Sequence, residues 1–413
     1  MKILVVSQYF YPETFRINDI CTELVNRGHT VDVLTSLPNV PQGRFYEGYS
    51  RKNHGEKSWN GVGIERVNVI ERTRGSGIKM ILNCASFAVN SYFAAGKYGK
   101  KDYDVIFVFC NSPVTQIVPA ARVKRMAKIP LCVWILDIWP ESMFFLLGMK
   151  EKEIGKEGLF RKISRWYSNH LYKKADILFT SSIGFENKLK GQGLIKPVFS
   201  YFPNYAEEIP EVDAAERESF GFADDDFIVG FGGNIGLAQG LDLTVDATEK
   251  VDDPRLKWLI MGDGPEAGNL KAKIREKGLD DRYRFTGFVD QKTMQANLEM
   301  CDAVLVPLKD HEILRLTVPA KLQSAMKAAR PVLAFMNGAG ADVVSECGCG
   351  VPARAEDPAS LADAIEKLMG MSKEAREQMG EKGLEYCNRN YNRETLLNQL
   401  ENELQTVASS SRS

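Results

Sequence analysis

One run of residues sets the architecture of this 413-residue chain. It reads Phe227-Ile228-Val229-Gly230-Phe231-Gly232-Gly233-Asn234-Ile235-Gly236-Leu237-Ala238-Gln239-Gly240-Leu241-Asp242-Leu243. Its first five residues form a continuous apolar segment, which is typical of a parallel strand buried on both faces. A glycine-rich loop follows, and a helical pattern begins near Leu241. A strand, a loop and a helix in this order form the repeating unit of a doubly wound α/β sheet.

The same alternation extends through the rest of the chain in both directions. We predict strands at residues 3–7, 30–35, 105–109, 131–136 and 177–180 in the first half, and at 227–231, 257–261, 283–286, 303–306 and 331–335 in the second half. Each is a short continuous apolar run followed by a loop and a helical pattern. The sequence therefore predicts two Rossmann-like α/β domains.

The boundary between these domains is marked by prolines. Pro203 and Pro210 interrupt regular structure just after the last strand of the first half. We therefore expect an N-terminal domain at residues 1–203 and a second domain at 204–387, sizes that suit a chain of this length. A final helix follows at 388–413. It repeats leucine on one face, at Leu396, Leu397, Leu400 and Leu404.

Composition excludes several classes of protein. The eight cysteines are scattered and form no CxxC pair, which indicates reduced thiols and no disulfide framework or zinc site. The four histidines show no ligand spacing, so we expect no bound metal. No apolar run reaches 18 residues, and the first is too short for a signal peptide, so we expect a cytoplasmic protein without a membrane span.

Charge is divided unevenly along the chain. Residues 1–205 hold 29 Lys and Arg against 17 Asp and Glu, whereas the remainder holds 24 against 37. The basic half is expected to attract a membrane, a nucleic acid or an acidic ligand, unless the imbalance is ordinary surface variation. Residues 161–174 combine basic and aromatic residues at helical spacing, and residues 78–98 are apolar with flanking lysines. Each segment is either a membrane-surface helix or a core-packed helix.

Three glycine-containing loops follow successive strands of the second half. Glycine lets the backbone approach an anion, and a helix start presents free N–H groups. Since the carboxyl ends of parallel strands share one edge, we interpret these loops as a nucleotide site, with plain tight turns as the alternative. The donor-site candidates are Gly233, Asn234, Ile235, Gly236 and Gln239 in the first loop, Gly262 and Gly264 in the second, and Gly287, Phe288 and Val289 in the third.

A fourth segment follows the strand that ends near residue 306. Pro319 stands at a favoured first helical position, which places Lys321 in the first turn of the helix. A lysine there opposes the helix dipole, so we interpret it as a phosphate or carboxylate contact, the alternative being a solvated side chain. Glu312 and Arg315 precede it in the same segment.

In the first half, polar residues follow three strands. Asp137 ends an apolar strand, where a carboxylate serves either as a catalytic base or as a helix N-cap. Glu13, Arg16 and Asn111 are acceptor-site candidates, although Glu13 and Arg16 have the spacing of an ordinary helical ion pair.

Several motifs together resemble those of one enzyme family. They are Gln8-Tyr9-Phe10-Tyr11-Pro12-Glu13 followed by Arg16, Leu24-Val25-Asn26-Arg27-Gly28-His29-Thr30-Val31, residues 35–43, the loop at 233–236, Gly262-Asp263-Gly264-Pro265, and Pro319 followed by Lys321. In this order, over nearly the whole chain, they resemble the bacterial family-4 retaining glycosyltransferases of the GT-B fold. The most similar subgroup builds O-antigen, capsule and colanic-acid repeats and includes N-acetyl-L-fucosamine transferases.

The resemblance implies a UDP-sugar donor, with its diphosphate at residues 233–236 and its uracil at 287–289. It implies two facing domains with an interdomain cleft, and a final helix that crosses back to the first domain. The acceptor would be an undecaprenyl-diphosphate-linked saccharide, held by a basic first domain that lies peripherally on the anionic inner membrane. Neither a metal cofactor nor a nucleic-acid partner is expected.

The chain departs from the family pattern at the acidic motif Glu-x7-Glu. Its second glutamate position falls on Ser324, and Glu312 is the closest upstream acid. Gln239 stands near the usual lysine, so Lys321 or Arg315 would supply the charge. We expect front-face transfer with retention, in which Asp137 or a donor phosphate oxygen accepts the proton. The alternatives are a UDP-sugar 2-epimerase, another GT-B enzyme such as a sugar phosphorylase, or a non-catalytic nucleotide-sugar-binding protein.

Overall fold

The computed structural model describes residues 1–73, 77–146, 148, 158–209 and 213–411. The chain divides into two compact units. Unit 1 comprises Met1–Phe202 and Leu397–Ser413, and unit 2 comprises Pro203–Leu396.

Unit 1 is built on an eight-stranded sheet with strand order β3-β4-β2-β1-β5-β6-β7-β8. Its strands are β1 (Lys2–Val6), β2 (Thr30–Ser36), β3 (Ser58–Trp59), β4 (Val62–Val67), β5 (Val105–Cys110), β6 (Leu131–Ile135), β7 (Ile177–Thr180) and β8 (Val198–Tyr201). Its helices are α1 (Arg16–Asn26), α2 (Gly77–Ala95), α3 (Ile117–Ala127), α4 (Glu141–Leu146), α5 (Leu159–Tyr172) and α6 (Ile183–Gly191). All paired strands are parallel except β3 with β4.

Unit 2 is built on a six-stranded parallel sheet with order β11-β10-β9-β12-β13-β14. Its strands are β9 (Phe227–Gly232), β10 (Leu256–Met261), β11 (Tyr283–Gly287), β12 (Ala303–Pro307), β13 (Val332–Phe335) and β14 (Gly350–Ala353). Its helices are α7 (Asp242–Thr248), α8 (Ala267–Glu276), α9 (Gln291–Met300), α10 (Glu312–Arg315), α11 (Ala320–Lys327), α12 (Ala339–Cys347), α13 (Pro358–Met369) and α14 (Lys373–Asn390).

The central strands explain why both sheets are stable. Every residue of β5 and β6 is buried, and so are the first five of β9, because these strands have layers on both faces. In unit 2, Trp258 and Phe231 lie in the core, where the Trp258 indole N–H donates to Thr248 Oγ1 at 2.9 Å. A buried indole that finds an acceptor adds apolar contact without leaving a polar group unpaired.

The last helix, α15 (Arg393–Ser410), begins in unit 2 and belongs to unit 1 from Leu397 onward. Leu400 and Leu404 are fully buried. The Arg27 guanidinium donates to Glu401 at 2.9 Å, which ties the helix to the end of α1. The leucine periodicity of the sequence therefore reflects packing on unit 1.

The expected fold class, two Rossmann-like α/β domains, is confirmed. Four strands were not predicted: β3, β4, β8 and β14. Of these, β4 alternates buried and half-buried residues instead of forming a continuous apolar run, and β14 contains Gly350 and Pro352. Both lie outside the pattern of a fully buried strand. Among the described residues, no helix is long and apolar enough to cross a bilayer.

Candidate functional site

Four loops of unit 2 meet at one edge of its sheet. They follow β9, β10, β11 and β12, which are neighbours in the order β11-β10-β9-β12. The chain reverses its direction of winding between β9 and β12, which makes this edge the topological switch point. The Lys309 N–H donates to Ala238 O at 2.8 Å and joins the two loops that flank the switch. The predicted donor-site loops are therefore brought together.

The glycines of these loops allow backbone to pack against backbone. The Gly233 N–H donates to Met261 O at 2.8 Å, and the Ile235 N–H to Asp263 O at 3.0 Å. The Gly262 N–H donates to Gly287 O at 2.7 Å. The amides of Gly233 and Ile235 thus have partners within the protein, and the glycines at 233, 262 and 287 shape the edge by interlocking the three loops.

Among the glycines of these three loops, Gly262 is the one whose replacement would be most restricted. Its φ is +130°, and a Cβ there would lie 2.0 Å from Gly233 O. We expect Gly262→Ala to lower the free energy of unfolding by about 2–4 kcal/mol, through overpacking and backbone strain. The measurement is urea unfolding. Gly268→Ala is the matched control, since open space surrounds that helical position; a variant at 262 as stable as this control would contradict the interlock.

Lys321 lies directly on the first glycine loop. It stands in the first turn of α11, with Pro319 as the N-cap residue in extended conformation, so the helix begins one residue later than predicted. Lys321 Nζ donates to Asn234 O at 3.1 Å and lies 4.2 Å from the centroid of the Phe231 ring. Burial lowers the pKa of Lys321 to about 7. Among the described ion pairs none includes Lys321, so the site offers a cation without a carboxylate partner.

Other residues of the fourth loop have partners already. Arg315 forms a bidentate ion pair with Asp310, at 2.6 and 2.7 Å, and this pairing lowers the pKa of Asp310. Glu312 is the first residue of α10 and is partly buried. Arg315 would have to leave Asp310 to reach a phosphate, which makes Lys321 the better placed cation.

Two further donor-site candidates, Gln239 and Phe288, lie at this edge of the sheet. Gln239 Oε1 accepts the Gly236 N–H at 3.1 Å, so one backbone amide of the glycine loop is bonded to an uncharged side-chain oxygen. Phe288 follows β11 and is 87% exposed, which is unusual for a phenylalanine beside the interlocked backbone of the glycine loops. Val289 packs against the core.

In unit 1, the predicted residues follow neighbouring strands. The order β1-β5-β6 places the start of α1, at Arg16, and the loops that contain Asn111 and Asp137 along one sheet edge. Asp137 is partly exposed, and burial raises its pKa to about 7. Burial raises the pKa of Cys110, and the charge of Asp137 raises it further.

Glu13 has a different environment from the other three. It is 1% exposed, and its Oε1 accepts the N–H groups of Asn39 and Val40, both at 2.7 Å. Burial raises its pKa to about 7 in spite of these bonds. In the structure, Glu13 therefore stabilises the loop after β2. A role of Glu13 in acceptor binding stays a prediction.

Two sets of polar contacts in unit 1 involve residues that were not assigned a role from the sequence. One is a buried polar network in which Gln8 bonds to Gln116 and Asn83, both at 2.7 Å. The other is Glu141, which accepts from Arg165 at 3.0 Å. Glu141 belongs to the sequence motif that begins at Asp137, and this position could have marked it as a candidate site residue. Among the described residues, no group of three or more His, Cys, Asp or Glu side chains is arranged to hold a metal.

Comparisons with known proteins agree with this geometry. The model for glycosyl transferases group 1 matches residues 212–386, and the model for the glycosyl transferase 4-like domain matches residues 14–204. WcaI of Escherichia coli K12, named as a colanic acid biosynthesis glycosyl transferase, is 26% identical over 319 residues, covering 75% of this chain and 77% of its own. WbjE of Pseudomonas aeruginosa, named as a glycosyltransferase, is 27% identical over 57% of this chain and 59% of its own.

A solved structure gives the fold independently. HepE of Anabaena, determined in complex with UDP and glucose, superposes with a TM-score of 0.71 at 17% identity, covering 98% of this chain and all of the other. The two family models together span most of the sequence, and both describe the same class of enzyme. The chain is a glycosyltransferase of the GT-B type.

Proposed function

We propose that this enzyme transfers a sugar from a UDP-sugar, with retention, to an undecaprenyl-diphosphate-linked saccharide during assembly of a surface polysaccharide. We propose that the transferred sugar is an amino sugar such as N-acetyl-L-fucosamine. The observation that supports this most directly is Lys321, a half-buried cation placed on a glycine loop at the switch point of unit 2.

The donor pyrophosphate would bind between Lys321 and the loop after β9. The Gly236 N–H points at the Gln239 side-chain oxygen, and a phosphate oxygen would replace that oxygen once Gln239 rotates away. As the bond to the sugar breaks, negative charge grows on the departing UDP. The Lys321 ammonium and the loop amide stabilise that charge more strongly than they stabilise the ground state.

Phe288 would stack on the uracil. Its ring is exposed at the edge formed by the glycine loops, and a base has an apolar face that such a ring can cover. We expect Phe288→Ala to weaken UDP binding by about 5- to 100-fold, measured by calorimetry. Inorganic pyrophosphate has no base, so its affinity should stay unchanged. Equal losses for both ligands would contradict a stacking role, and Phe288→Tyr should bind UDP as the wild type does.

Asp137 would accept the proton of the attacking hydroxyl. A carboxyl whose pKa is raised to about 7 is half ionised near neutral pH and is matched to a general base. Arg16 and Asn111, at the same sheet edge, are proposed to contact the acceptor. No metal is proposed to take part, so transfer should persist in a chelator.

The names of relatives support the choice of substrates. HepE was crystallised with UDP and glucose, and WcaI is named for colanic acid biosynthesis. We propose a cytoplasmic enzyme held peripherally on the inner membrane, because residues 1–205 have an excess of basic residues.

The test starts from a panel of UDP-sugars in a thermal-shift assay, since a donor raises the melting temperature by mass action. The stabilising sugar is then incubated with and without a polyprenyl-diphosphate saccharide, and products are analysed by NMR. We expect transfer with the donor's anomeric configuration. A changed sugar without acceptor would identify an epimerase. Stabilisation by UDP without turnover would identify a binding protein, and no stabilisation by any UDP-sugar would refute the donor assignment.

A further inference from the structure

Two cysteines lie together at the end of helix α12. Cys347 is the last residue of α12, and Cys349 stands directly before β14. The Cys347 thiol donates to Val344 O at 3.7 Å, and the Cys349 thiol donates to the same oxygen at 3.9 Å. Because the two thiols share one acceptor atom, they are neighbours in space as well as in sequence.

The glycine between the two cysteines makes this arrangement possible. Gly348 ends the helix with a φ of +64°, a left-handed conformation that glycine adopts without strain. The Cys349 N–H donates to Val344 O at 3.3 Å, so the chain folds back onto the last turn of the helix. Since the chain bends here, positions 347 and 349 are closer than in an extended strand. This suits the roughly 4.4–6.8 Å that separates the Cα atoms of a disulfide.

The two thiols differ in their access to solvent. Cys347 is half-buried, whereas Cys349 is fully buried. Helix α14 passes over Cys349 at Gly383, where an added Cβ would lie 3.1 Å from the Cβ of Cys349. A small molecule from solvent can therefore reach Cys347, while Cys349 can react only with a group that is already attached inside the turn.

Hydrogen bonding and charge at this turn favour the ionised form of Cys347. The hydrogen bond from Cys349 lowers the pKa of Cys347 to about 7, although burial and the charge of Glu346 act in the opposite direction. The same hydrogen bond, together with burial, raises the pKa of Cys349. The exposed Lys382 ammonium lies 4.0 Å from a Cβ placed on Gly348, which puts a positive charge beside the pair. A thiolate next to a lysine is the reactive form of cysteine.

The other half-buried cysteine, Cys84, has a different character. It lies on α2, where burial raises its pKa to about 11, so it stays protonated at neutral pH. The remaining cysteines are buried. Among the eight cysteines, all of which the structure describes, only Cys347 thus combines access from solvent with an ionised thiol.

We propose that Cys347 and Cys349 form a reversible thiol–disulfide site that reacts with small disulfides such as oxidised glutathione. The Cys347 thiolate attacks one sulfur of the small disulfide, whose S–S bond breaks, and one thiolate departs. The Cys349 sulfur then attacks the Cys347 sulfur, forms the 347–349 disulfide and displaces the second thiolate, which takes up the Cys349 proton. The two protein thiols lose two electrons, and the small disulfide gains them as it becomes two thiols.

The product should be easily reduced. Its ring encloses a single intervening residue, so the disulfide constrains the unfolded chain little and gains little stability from that constraint. Excess reduced glutathione is therefore expected to restore both thiols. This site lies apart in sequence from the proposed donor loops and needs no sugar substrate.

The first experiment measures thiol reactivity in the folded wild type, with Cys84 as the internal control. The protein is alkylated with limiting iodoacetamide at neutral pH, and the modified peptides are quantified by mass spectrometry. We expect Cys347 to react about 50-fold faster than Cys84, because its larger thiolate fraction outweighs the weaker nucleophilicity of a less basic sulfur. In urea the two rates should agree within about threefold, since unfolded cysteines have similar pKa values. Equal rates in the folded protein would overturn the proposal.

The second experiment follows oxidation by oxidised glutathione, with intact mass and tandem mass spectrometry as the readouts. The wild type should gain the 347–349 disulfide and retain no glutathione. Cys349→Ser should stop after the first step and retain one glutathione on Cys347, and Cys347→Ser should form neither product. Cys387→Ser is the matched control and should react as the wild type does. Cys387 is a buried cysteine of α14 whose thiol donates to Gln323 O at 3.7 Å.

Several results would contradict a reversible site at this turn. They are a wild type that forms no 347–349 disulfide, a disulfide that joins Cys387 instead, a Cys347→Ser variant that is oxidised as fast as the wild type, and a product that excess reduced glutathione does not reduce. If Cys347→Ser folds poorly, Cys347→Ala replaces it, and the alkylation experiment needs no variant. Because no measurement uses a donor or an acceptor, failure of the thiol chemistry and failure of sugar transfer are separate results.

Discussion

Replacing Asp137 with asparagine is expected to lower kcat by about 10²- to 10⁴-fold, the contribution of a positioned general base. The amide has nearly the same shape but cannot take a proton from the acceptor hydroxyl. Because Asp137 belongs to unit 1 and the proposed donor loops belong to unit 2, the affinity for UDP should not change. Steady-state transfer and UDP calorimetry measure the two quantities.

The matched control for this variant is Asp102→Asn. Asp102 precedes β5, at the opposite end of the strand from Asn111, and its side chain is 87% exposed. Its loss should leave kcat unchanged. If Asp137→Asn kept more than about a tenth of the wild-type kcat, the proton would have to go to another group, and a phosphate oxygen of the donor would be the remaining candidate.

Replacing Lys321 with alanine is expected to lower kcat/KM by about 10²- to 10³-fold, as for other removed donors to a developing negative charge. UDP affinity should fall by about 10- to 100-fold, since a charge-assisted hydrogen bond is lost. Lys327→Ala is the control: Lys327 ends the same helix, and its Nζ contacts Asn388 at 2.8 Å. Similar UDP affinities for the two variants would contradict the phosphate role of Lys321.

The pH dependence of this site has a definite sign. Burial lowers the pKa of Lys321 to about 7, and a bound pyrophosphate favours the charged form and raises that pKa. UDP affinity should therefore be constant well below pH 7 and fall by up to about tenfold per pH unit above it. Asp137 must be ionised, so kcat/KM should rise with pH up to about 7. The profile should be bell-shaped, and Lys321→Ala should lose its alkaline limb.

Much of the fold follows from local sequence. Continuous apolar runs such as those of β5, β6 and β9 correspond to strands that are buried on both faces, and sequence periodicity reports this burial directly. β4 and β14 were missed because edge-side strands need less apolar surface. In β4, buried and half-buried residues alternate. β14 contains a proline, which an edge strand tolerates because one side of its backbone needs no hydrogen bonds to a neighbouring strand.

The candidate site was predictable in part. The glycine loops and Lys321 were found because strand ends, glycines and a lysine in a first helical turn each have a local signature. The partners of those residues were not predictable, since they depend on distant parts of the chain. The pairing of Gly233 with Met261, the ion pair of Arg315 with Asp310, and the contact of Glu13 with residues 39–40 appear only once the sheet has formed.

The contacts of α5 with the segment from Asp137 to Glu141 could not be predicted from local sequence either. The sequence shows a basic and aromatic helix and a separate Asp-Ile-Trp-Pro-Glu motif. Their connection through Tyr172 and Arg165 joins positions 24 and 33 residues apart. No local pattern encodes which face of the helix points inward.

A crystal structure of the UDP complex tests the central claim most directly. The account predicts pyrophosphate oxygens within about 3 Å of Lys321 Nζ, the distance of a charge-assisted hydrogen bond. Gln239 should be rotated off the Gly236 amide. A nucleotide bound elsewhere, with Lys321 still on Asn234 O and Gln239 still on Gly236, would contradict it.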